Sequence, residues 1–473
     1  MSIAKRIVKN TAWLYGAEIV GKILQFILIM AIARHYGAST FGQYSFAMTF
    51  TLIFSMFVDL GMNSLLIREV AKNKKRAPKY LSNLLFIKFI LGILCFIVIF
   101  IVINLAEYPM EIRFLVYSFG IYNIFFQILE LLKSFFKAYE FMHLDSVIKV
   151  SEKIMTTGAA LILVALGYSI LTVSYAFIVS AFLAILFSLL LIAKKISRFV
   201  ADIDREFIMK FLKMSVPFAA GLILYTVYFR ADVLLINFLK GSVSTGVYSS
   251  AFQFVELILF IPLFVSIAVF PLLSHAYSHS RERFWKMYNK LMKALCIAGV
   301  PIVVGTLILG DRFILLFFGS EYSDAGRVLK ILVVFTFLNF FNQFHNTVMV
   351  SMNWEKKLIT LMGVVFILNL CLNYFFIPSF SIFGAAYVKV FSEIAYFVGA
   401  LIIIHPKIDI AALLVLLKTF FVGAVLFVIV MYAAHLNLFF LIFIAALSYA
   451  LLVLLFKIFS DEDFSLMSEI VRR

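Results

Sequence analysis

The stretch YTVYFRADVLLINFLKGSVSTGVYSSAFQF, Tyr225–Phe254, decides how the chain is read: it sets Arg230 and Asp232 in an otherwise apolar span and is echoed near the amino terminus. Gly37, Gly42, Tyr44, Ser45, Ala47 and Phe50 recur in the same order and spacing as Gly241, Gly246, Tyr248, Ser249, Ala251 and Phe254. Each copy reads as a helix, a short glycine-bearing turn and a second helix. An internal repeat of this kind predicts two similar halves facing each other, with the activity between them.

Composition fixes the solvent. The chain is 64% hydrophobic, contains 56 phenylalanines and is only 14% charged, with a mean hydropathy of +1.07. No soluble domain of 473 residues presents such a surface to water, so the sequence predicts an integral membrane protein. A hydrocarbon core of roughly 30 Å needs about 20 apolar residues per helix, and such runs follow one another here, which favours a helical bundle over a barrel. The run from Thr11 to Arg34 lacks a small-residue cleavage site after it and reads as a retained helix. The net charge of +16 comes from Lys and Arg gathered at helix ends, where membrane lipid and the positive-inside rule account for it, so no nucleic-acid partner is implied. Cys95, Cys296 and Cys371 lie in apolar runs with no metal or redox spacing.

Apolar length predicts about fourteen transmembrane helices. Basic clusters follow the even-numbered spans: Arg68 to Lys79, Lys133 to Lys153, Lys194 to Lys213, Arg281 to Lys290, Lys356 with Lys357, and Lys407, joined by Lys5, Arg6 and Lys9 at the start. That side is expected to be cytoplasmic, with both termini inside. The opposite loops are short and poor in Lys and Arg; only Gly310–Arg327 is mixed, with Asp311, Arg312, Glu321, Asp324 and Arg327. The predicted organisation is a six-helix lobe over 1–196, an amphipathic cytoplasmic linker over 197–216, a second six-helix lobe over 217–405, and two extra helices with a tail over 406–473. In the linker, Ile203, Phe207, Phe211 and Leu212 fall on one helical face while Asp204, Arg205 and Lys210 point elsewhere, and Pro217 sits near the entrance of span seven.

Charges inside apolar spans are the informative positions, since one at the bilayer centre costs roughly 2.5–3.5 kcal/mol on insertion scales. Glu18 and Lys22 share a face of span one, with Gln25 near them. They form a structural ion pair, or Lys22 lines a water-filled cavity and meets an anion, or it snorkels to lipid headgroups. Asp59, Arg230, Asp232 and Glu256 are the further intramembrane charges of spans two, seven and eight. Arg230 and Asp232 lie on nearly opposite helix faces and look for partners on other helices; these residues either converge between the halves or form separate pairs within each half. Asn339, Asn342, Gln343 and Asn346 make a polar stripe on span ten, extended by Asn369 and Asn373 on span eleven, and read as interhelical glue before substrate contacts. Lys389 and Glu393 read as a buried pair in span twelve. His143 and His345 lack partners at ligand spacing, so no metal site is expected. The chain has no GxxxxGK loop, HExxH or GxSxG motif, which leaves no cofactor or nucleotide site in view. Asp202, Ile203 and Asp204 superficially suit a metal-nucleotide site, but capping of the linker helix is the expected role.

These features resemble the Wzx-type polysaccharide and O-antigen flippases, in the superfamily that also holds multidrug antiporters and lipid II flippases. The resemblance rests on the turn residues Gly42 and Tyr44 with their copies Gly246 and Tyr248, on Gly319, Glu321 and Tyr322, and on Pro378 followed by Gly384, Ala385 and Ala386. It implies an all-α polytopic fold of two pseudo-twofold-related six-helix lobes plus two C-terminal helices, with a cavity lined by spans one, two, seven and eight. It further implies a polyprenyl-pyrophosphate-linked oligosaccharide as cargo, moved across the cytoplasmic membrane without any bond being made or broken, so not an enzyme. Lys22 and Arg230, with Gln25, are then expected to meet the pyrophosphate. Glu18, Asp59, Asp232 and Glu256 are expected to pair in the cavity or couple transport to H+ or Na+. Other polysaccharide-assembly membrane proteins are expected partners. An ion-coupled small-molecule antiporter is the alternative within the superfamily. A membrane glycosyltransferase or polymerase is disfavoured by the short outer loops.

Overall fold

The computed structural model describes residues 3–196, 202–406, 410–456 and 458. Arg198, Lys407 and most of the C-terminal tail therefore lie outside the described residues, as do the side chains of Lys5, Arg6, Lys9 and Pro217. Among the described residues all regular structure is helical, and nine stretches are long and apolar enough to cross a membrane. Three of these, Trp13–Lys72, Gly221–His279 and Glu355–Ile404, contain a backbone break and each supplies two spans. Adding the spanning-length helices Met142–Ala165 and Ser323–Ser351, which are more polar, gives the fourteen spans expected.

The chain divides into two compact units, Met1–Gly246 and Val247–Arg473. The first holds α1 (Ile3–Asp59), α2 (Met62–Lys72), α3 (Ala77–Leu105), α4 (Met110–Ala138), α5 (Met142–Ala165), α6 (Ile170–Lys195) and most of α7 (Arg205–Ile258). α1 is two helices joined at Gly37, whose φ of 76° and ψ of 176° leave the helical region; α7 is joined the same way at Gly241, with φ 79° and ψ −178°. The same glycine in both copies of the repeat adopts the same left-handed φ, which L side chains rarely take. α1 ends at Leu60 and Gly61, both left-handed with φ of 44° and 75°. One end of the unit is an aliphatic and aromatic core in which Leu65, Leu81, Leu131 and Phe135 are buried.

The linker helix belongs to this core. Phe207 and Phe211 pack edge-on against Tyr80 of α3 at ring distances of 5.0 and 5.6 Å, and Leu212 packs beside them. Ile203 departs from the expected face. It precedes the helix and is exposed, because Asp204 and not a residue further back is the cap: its Oδ1 accepts the Phe207 N–H at 3.0 Å. Capping is thus the role of this acidic triplet. Lys79 Nζ donates to Asp204 Oδ2 at 2.6 Å, and Asn83 both donates to the Asp202 carbonyl and accepts the Asp204 N–H. The Lys79 ammonium and the Phe207 N–H hold the Asp204 carboxyl below its usual range. From Arg205 the helix continues without a break to Gly241, so linker and span seven are one rod.

The second unit holds the end of α7, α8 (Phe260–His279), α9 (Arg281–Phe317), α10 (Ser323–Ser351), α11 (Glu355–Ile404), α12 (Ile410–Tyr432) and α13 (Leu438–Leu455). α9 is capped by Ser280, whose hydroxyl accepts the Arg283 N–H at 3.3 Å. α11 turns at Ser381, with φ 53° and ψ −134°, three residues after Pro378. Gly384 permits the turn: a Cβ there would lie 2.4 Å from the Phe376 carbonyl oxygen. Tyr322 is buried against Phe318; Lys330 Nζ binds Asp311 Oδ2 at 2.5 Å, Arg327 pairs with Asp324, and Arg312 Nη1 donates to the Leu436 carbonyl at 3.2 Å.

Candidate functional site

The repeat glycines meet. An ideal Cβ on Gly42 would lie 1.7 Å from the Ser242 carbonyl oxygen, and one on Gly246 would lie 2.0 Å from the Ala38 carbonyl oxygen. The two helices that follow the Gly37 and Gly241 turns therefore cross backbone on backbone, a distance only glycine allows at both positions. Asn237 Nδ2 donates to Thr245 Oγ1 at 3.2 Å beside this crossing, and Tyr108 donates to Asn237 Oδ1 at 3.1 Å. Tyr44 and Tyr248 are buried, Tyr44 edge-on to Phe119 at 5.2 Å.

Glu18 of span one lies against α5. Glu18 is engaged by Lys149, and the lysine stems cross α1 at Gly21, whose Cβ would lie 3.7 Å from Lys153 Cγ and 4.0 Å from Lys149 Cε. Lys153 lies 3.5 Å from Glu152. Lys22 and Gln25 are half-buried on the same helix. Lys149 and Lys153, which the sequence assigns to a topology-setting cluster, thus sit on a helix face packed against span one. An i,i+4 lysine pair on a spanning helix was the signal available for them.

Asp59 has a partner on another helix of its own unit. Lys88 Nζ donates to Asp59 Oδ1 at 2.8 Å, to Asn63 Oδ1 at 3.0 Å and to the Gln127 carbonyl at 2.8 Å. All three ammonium donors are used, Lys88 is fully buried, and the bonds bridge the break at Leu60–Gly61 between α1 and α2. Sequence reasoning passed over Lys88 because it follows a basic loop. Its signal was a lone lysine several turns inside an apolar run, together with Thr51, Ser55 and Asp59 at four-residue spacing. That stripe faces α4: Asn123 Nδ2 donates to Thr51 Oγ1 at 2.7 Å and Gln127 Nε2 to Ser55 Oγ at 3.4 Å.

On α7, Arg230 is half-buried, while Asp232 is buried. Glu256, in the second unit, is also buried. The span-ten stripe is bonded to the second half of α11. Asn339 and Asn342 donate to Glu393 Oε1 at 2.8 and 3.0 Å, and Tyr396 donates to Asn346 Oδ1. The Gln343 backbone carbonyl accepts from Thr347 at 3.1 Å. Asn369 donates to Ser392 Oγ at 3.0 Å and Asn373 to Asn369 Oδ1 at 3.0 Å. Lys389, fully buried, lies 5.6 Å from the ring centres of both Phe252 and Phe335. His345 Nε2 is hydrogen-bonded with the Tyr288 hydroxyl at 2.9 Å, and among the described residues no group of metal-ligating side chains forms.

A family model described as polysaccharide biosynthesis protein matches residues 7–277, more than half of the chain. The chain belongs to this family. A MatE model matches residues 217–375. Among curated relatives, a capsular polysaccharide biosynthesis protein, CapF of Staphylococcus aureus, is 23% identical over 80% of this chain and 94% of its own length. A probable low-salt glycan biosynthesis flippase, Agl15 of Haloferax volcanii, is 22% identical over 82% and 80%. A putative O-antigen transporter of Shigella dysenteriae is 24% identical over 68% and 80%. Among solved structures, the lipid II flippase MurJ in an inward closed conformation superposes with a TM-score of 0.78 at 15% identity, covering 94% of this chain and 98% of that one. An inward-facing multidrug MATE transporter gives a TM-score of 0.66 at 17% identity, covering 80% and 93%. The family member described here therefore has the MurJ and MATE transporter fold.

Proposed function

We propose that the protein is a flippase that moves a polyprenyl-pyrophosphate-linked oligosaccharide from the cytoplasmic to the outer leaflet by alternating access. The observation that carries this reading is the family match over 7–277, with relatives named as a glycan flippase and an O-antigen transporter along most of the chain. The chemistry is translocation, with no covalent step. Lys22 and Arg230, half-buried in apolar helices, supply positive charge for the pyrophosphate, and Gln25 supplies an amide beside it. Glu18, Asp59, Asp232 and Glu256 are the carboxylates of these spans that would pair in the cavity or couple transport to H+ or Na+; of these, Asp59 accepts from Lys88 and Glu18 is engaged by Lys149. The repeat supports two rocking lobes over 1–196 and 217–405, and the basic clusters support cytoplasmic termini in the cell's inner membrane.

The deciding experiment measures translocation of a labelled polyprenyl pyrophosphate oligosaccharide in proteoliposomes for wild type, Lys22→Ala and Arg230→Ala at matched incorporation. Transport by wild type and its loss in both variants supports the reading. Unchanged transport in the variants removes these two residues from the mechanism. The MatE match favours a second reading, ion-coupled antiport of small amphipathic cations; the positive charge of Lys22 and Arg230 opposes it. Exchange of such a cation for protons, with no movement of lipid-linked sugar, would establish that reading instead.

A further inference from the structure

The seam between α1 and α5 holds a groove to which the flippase reading gives no role. Trp13, Gly16, Ala17 and Val20 of α1 face Ser146 and Val150 of α5 across an apolar cavity of about 540 Å³. The four α1 residues follow i, i+3, i+4, i+7 spacing and so form one stripe, and Gly16 and Ala17 keep that wall low. Two observations point to an amphiphilic occupant. Ser146, on the wall, is 2% exposed and its hydroxyl has no hydrogen-bond partner, although buried hydroxyls are nearly always matched. Along one edge, one helical turn from Ser146, runs the Glu18–Lys149 ion pair, with Lys153 beside it against Gly21. Lys149 and Glu18 both keep part of their side chains accessible, so an apolar trough borders a reachable ammonium group.

We propose that this seam holds the isoprenoid phosphate end of the lipid carrier, with the chain along the groove and the phosphate on Lys149, displacing Glu18 and accepting from Ser146. The identity of the carrier rests on the flippase reading; the groove and its charged edge do not. Lys149 is suited to the exchange because its side chain keeps 26% of its surface accessible, so it gives up one anion for another without being newly buried.

The test is photolabelling of the full-length protein in nanodiscs with a diazirine-bearing polyprenyl phosphate, followed by mapping of the labelled peptides. Expected is label within 13–20 or 146–151, competed by unlabelled polyprenyl pyrophosphate and not by an equal excess of phosphatidylglycerol. Lys149→Met should reduce labelling at least tenfold, and Val150→Trp, which fills the groove, should abolish it with an unchanged elution profile. Label mapping elsewhere in wild type overturns the proposal whatever the variants do. Equal competition by phosphatidylglycerol also overturns it, because the groove then takes bilayer lipid only. Translocation by wild type with label elsewhere refutes the seam and leaves the flippase reading standing; label in the seam without translocation does the reverse.

Discussion

Replacing Gly42 by alanine tests the crossing of the two repeat helices, and the magnitudes fix the sign. In an open helical position, Gly→Ala stabilises by about 0.8–1 kcal/mol through backbone entropy. Gly158 of α5 is such a position, with no atom within 4 Å of where the added methyl group would sit. At Gly42 the Cβ would stand 1.7 Å from Ser242 O, 2.6 Å from Ser242 C and 2.9 Å from Gly246 N, where ordinary contact begins at 3.4 Å. All three neighbours are backbone, so no rotamer relieves the clash and the helices must part by roughly 1.7 Å. Overpacking of this kind costs about 1–3 kcal/mol or more, which exceeds the helix-propensity gain. Gly42→Ala is therefore expected to lower the thermal midpoint of the purified protein, as is Gly246→Ala, while Gly158→Ala leaves it level or raises it. The two crossing substitutions strain one contact, so the double variant should lose less than the sum of the singles. The measurement is thermal loss of the monodisperse peak on size exclusion. A Gly42→Ala midpoint equal to that of Gly158→Ala would mean that the two helices do not cross at backbone distance.

Lys88→Met leaves the Asp59 carboxylate, Asn63 Oδ1 and the Gln127 carbonyl without their shared donor. Breaking a buried ion pair from one side costs about 3–5 kcal/mol, whereas replacing both partners by apolar residues is often near neutral. The yield of monodisperse protein should fall sharply for Lys88→Met and recover in Asp59→Leu/Lys88→Met; a double variant no better than the single counts against the pair. At Glu393, the acceptor Oε1 is what Asn339 and Asn342 use, so Glu393→Gln should be milder than Glu393→Leu by about 1–3 kcal/mol in unfolding measurements. Equal losses would mean that the charge, and not the acceptor, holds the stripe. Asp204 has a lowered pKa, so its contribution is complete above the unfolded carboxyl value of about 3.9 and is lost as pH falls through the lower folded value. The wild-type thermal midpoint should therefore drop more steeply than that of Asp204→Asn below about pH 4; parallel curves would show that the Lys79 interaction contributes nothing.

What could be read in advance was local. Gly37 and Gly241 announce a turn because glycine is the residue that accepts a left-handed φ, and matched spacing carries that inference from one copy to the other. Pro378 and Gly384 likewise mark the α11 turn, although the residue that takes the positive φ is Ser381, which no composition rule singles out. What could not be read was pairing across helices. Asp59 stands out in an apolar span, but its partner is twenty-nine positions away on α3. Glu18 has Lys22 at i+4, yet it is engaged by Lys149 from α5, because the packing of α5 on α1 at Gly21 brings the lysine stems to it. A helix-local rule supplies the near candidate and has no access to the distant one.

Burial then separates charges that hold the fold from charges that can serve a ligand. Lys88 directs its three donors to Asp59, Asn63 and Gln127 and has no accessible surface, so an arriving anion would have to break the joint between α1 and α2 before meeting it. Glu393 is fixed in the same way by two asparagine amides. Lys149 differs, since a quarter of its side chain is accessible and its anionic partner Glu18 is itself 31% exposed. Exchanging Glu18 for a phosphate oxygen there keeps the ammonium paired throughout, and the displaced carboxylate has Lys22 one helical turn away on its own helix face. A carrier that must both capture and release an anion needs lysines of the second kind, and in span one and its α5 neighbour they stand beside an apolar groove.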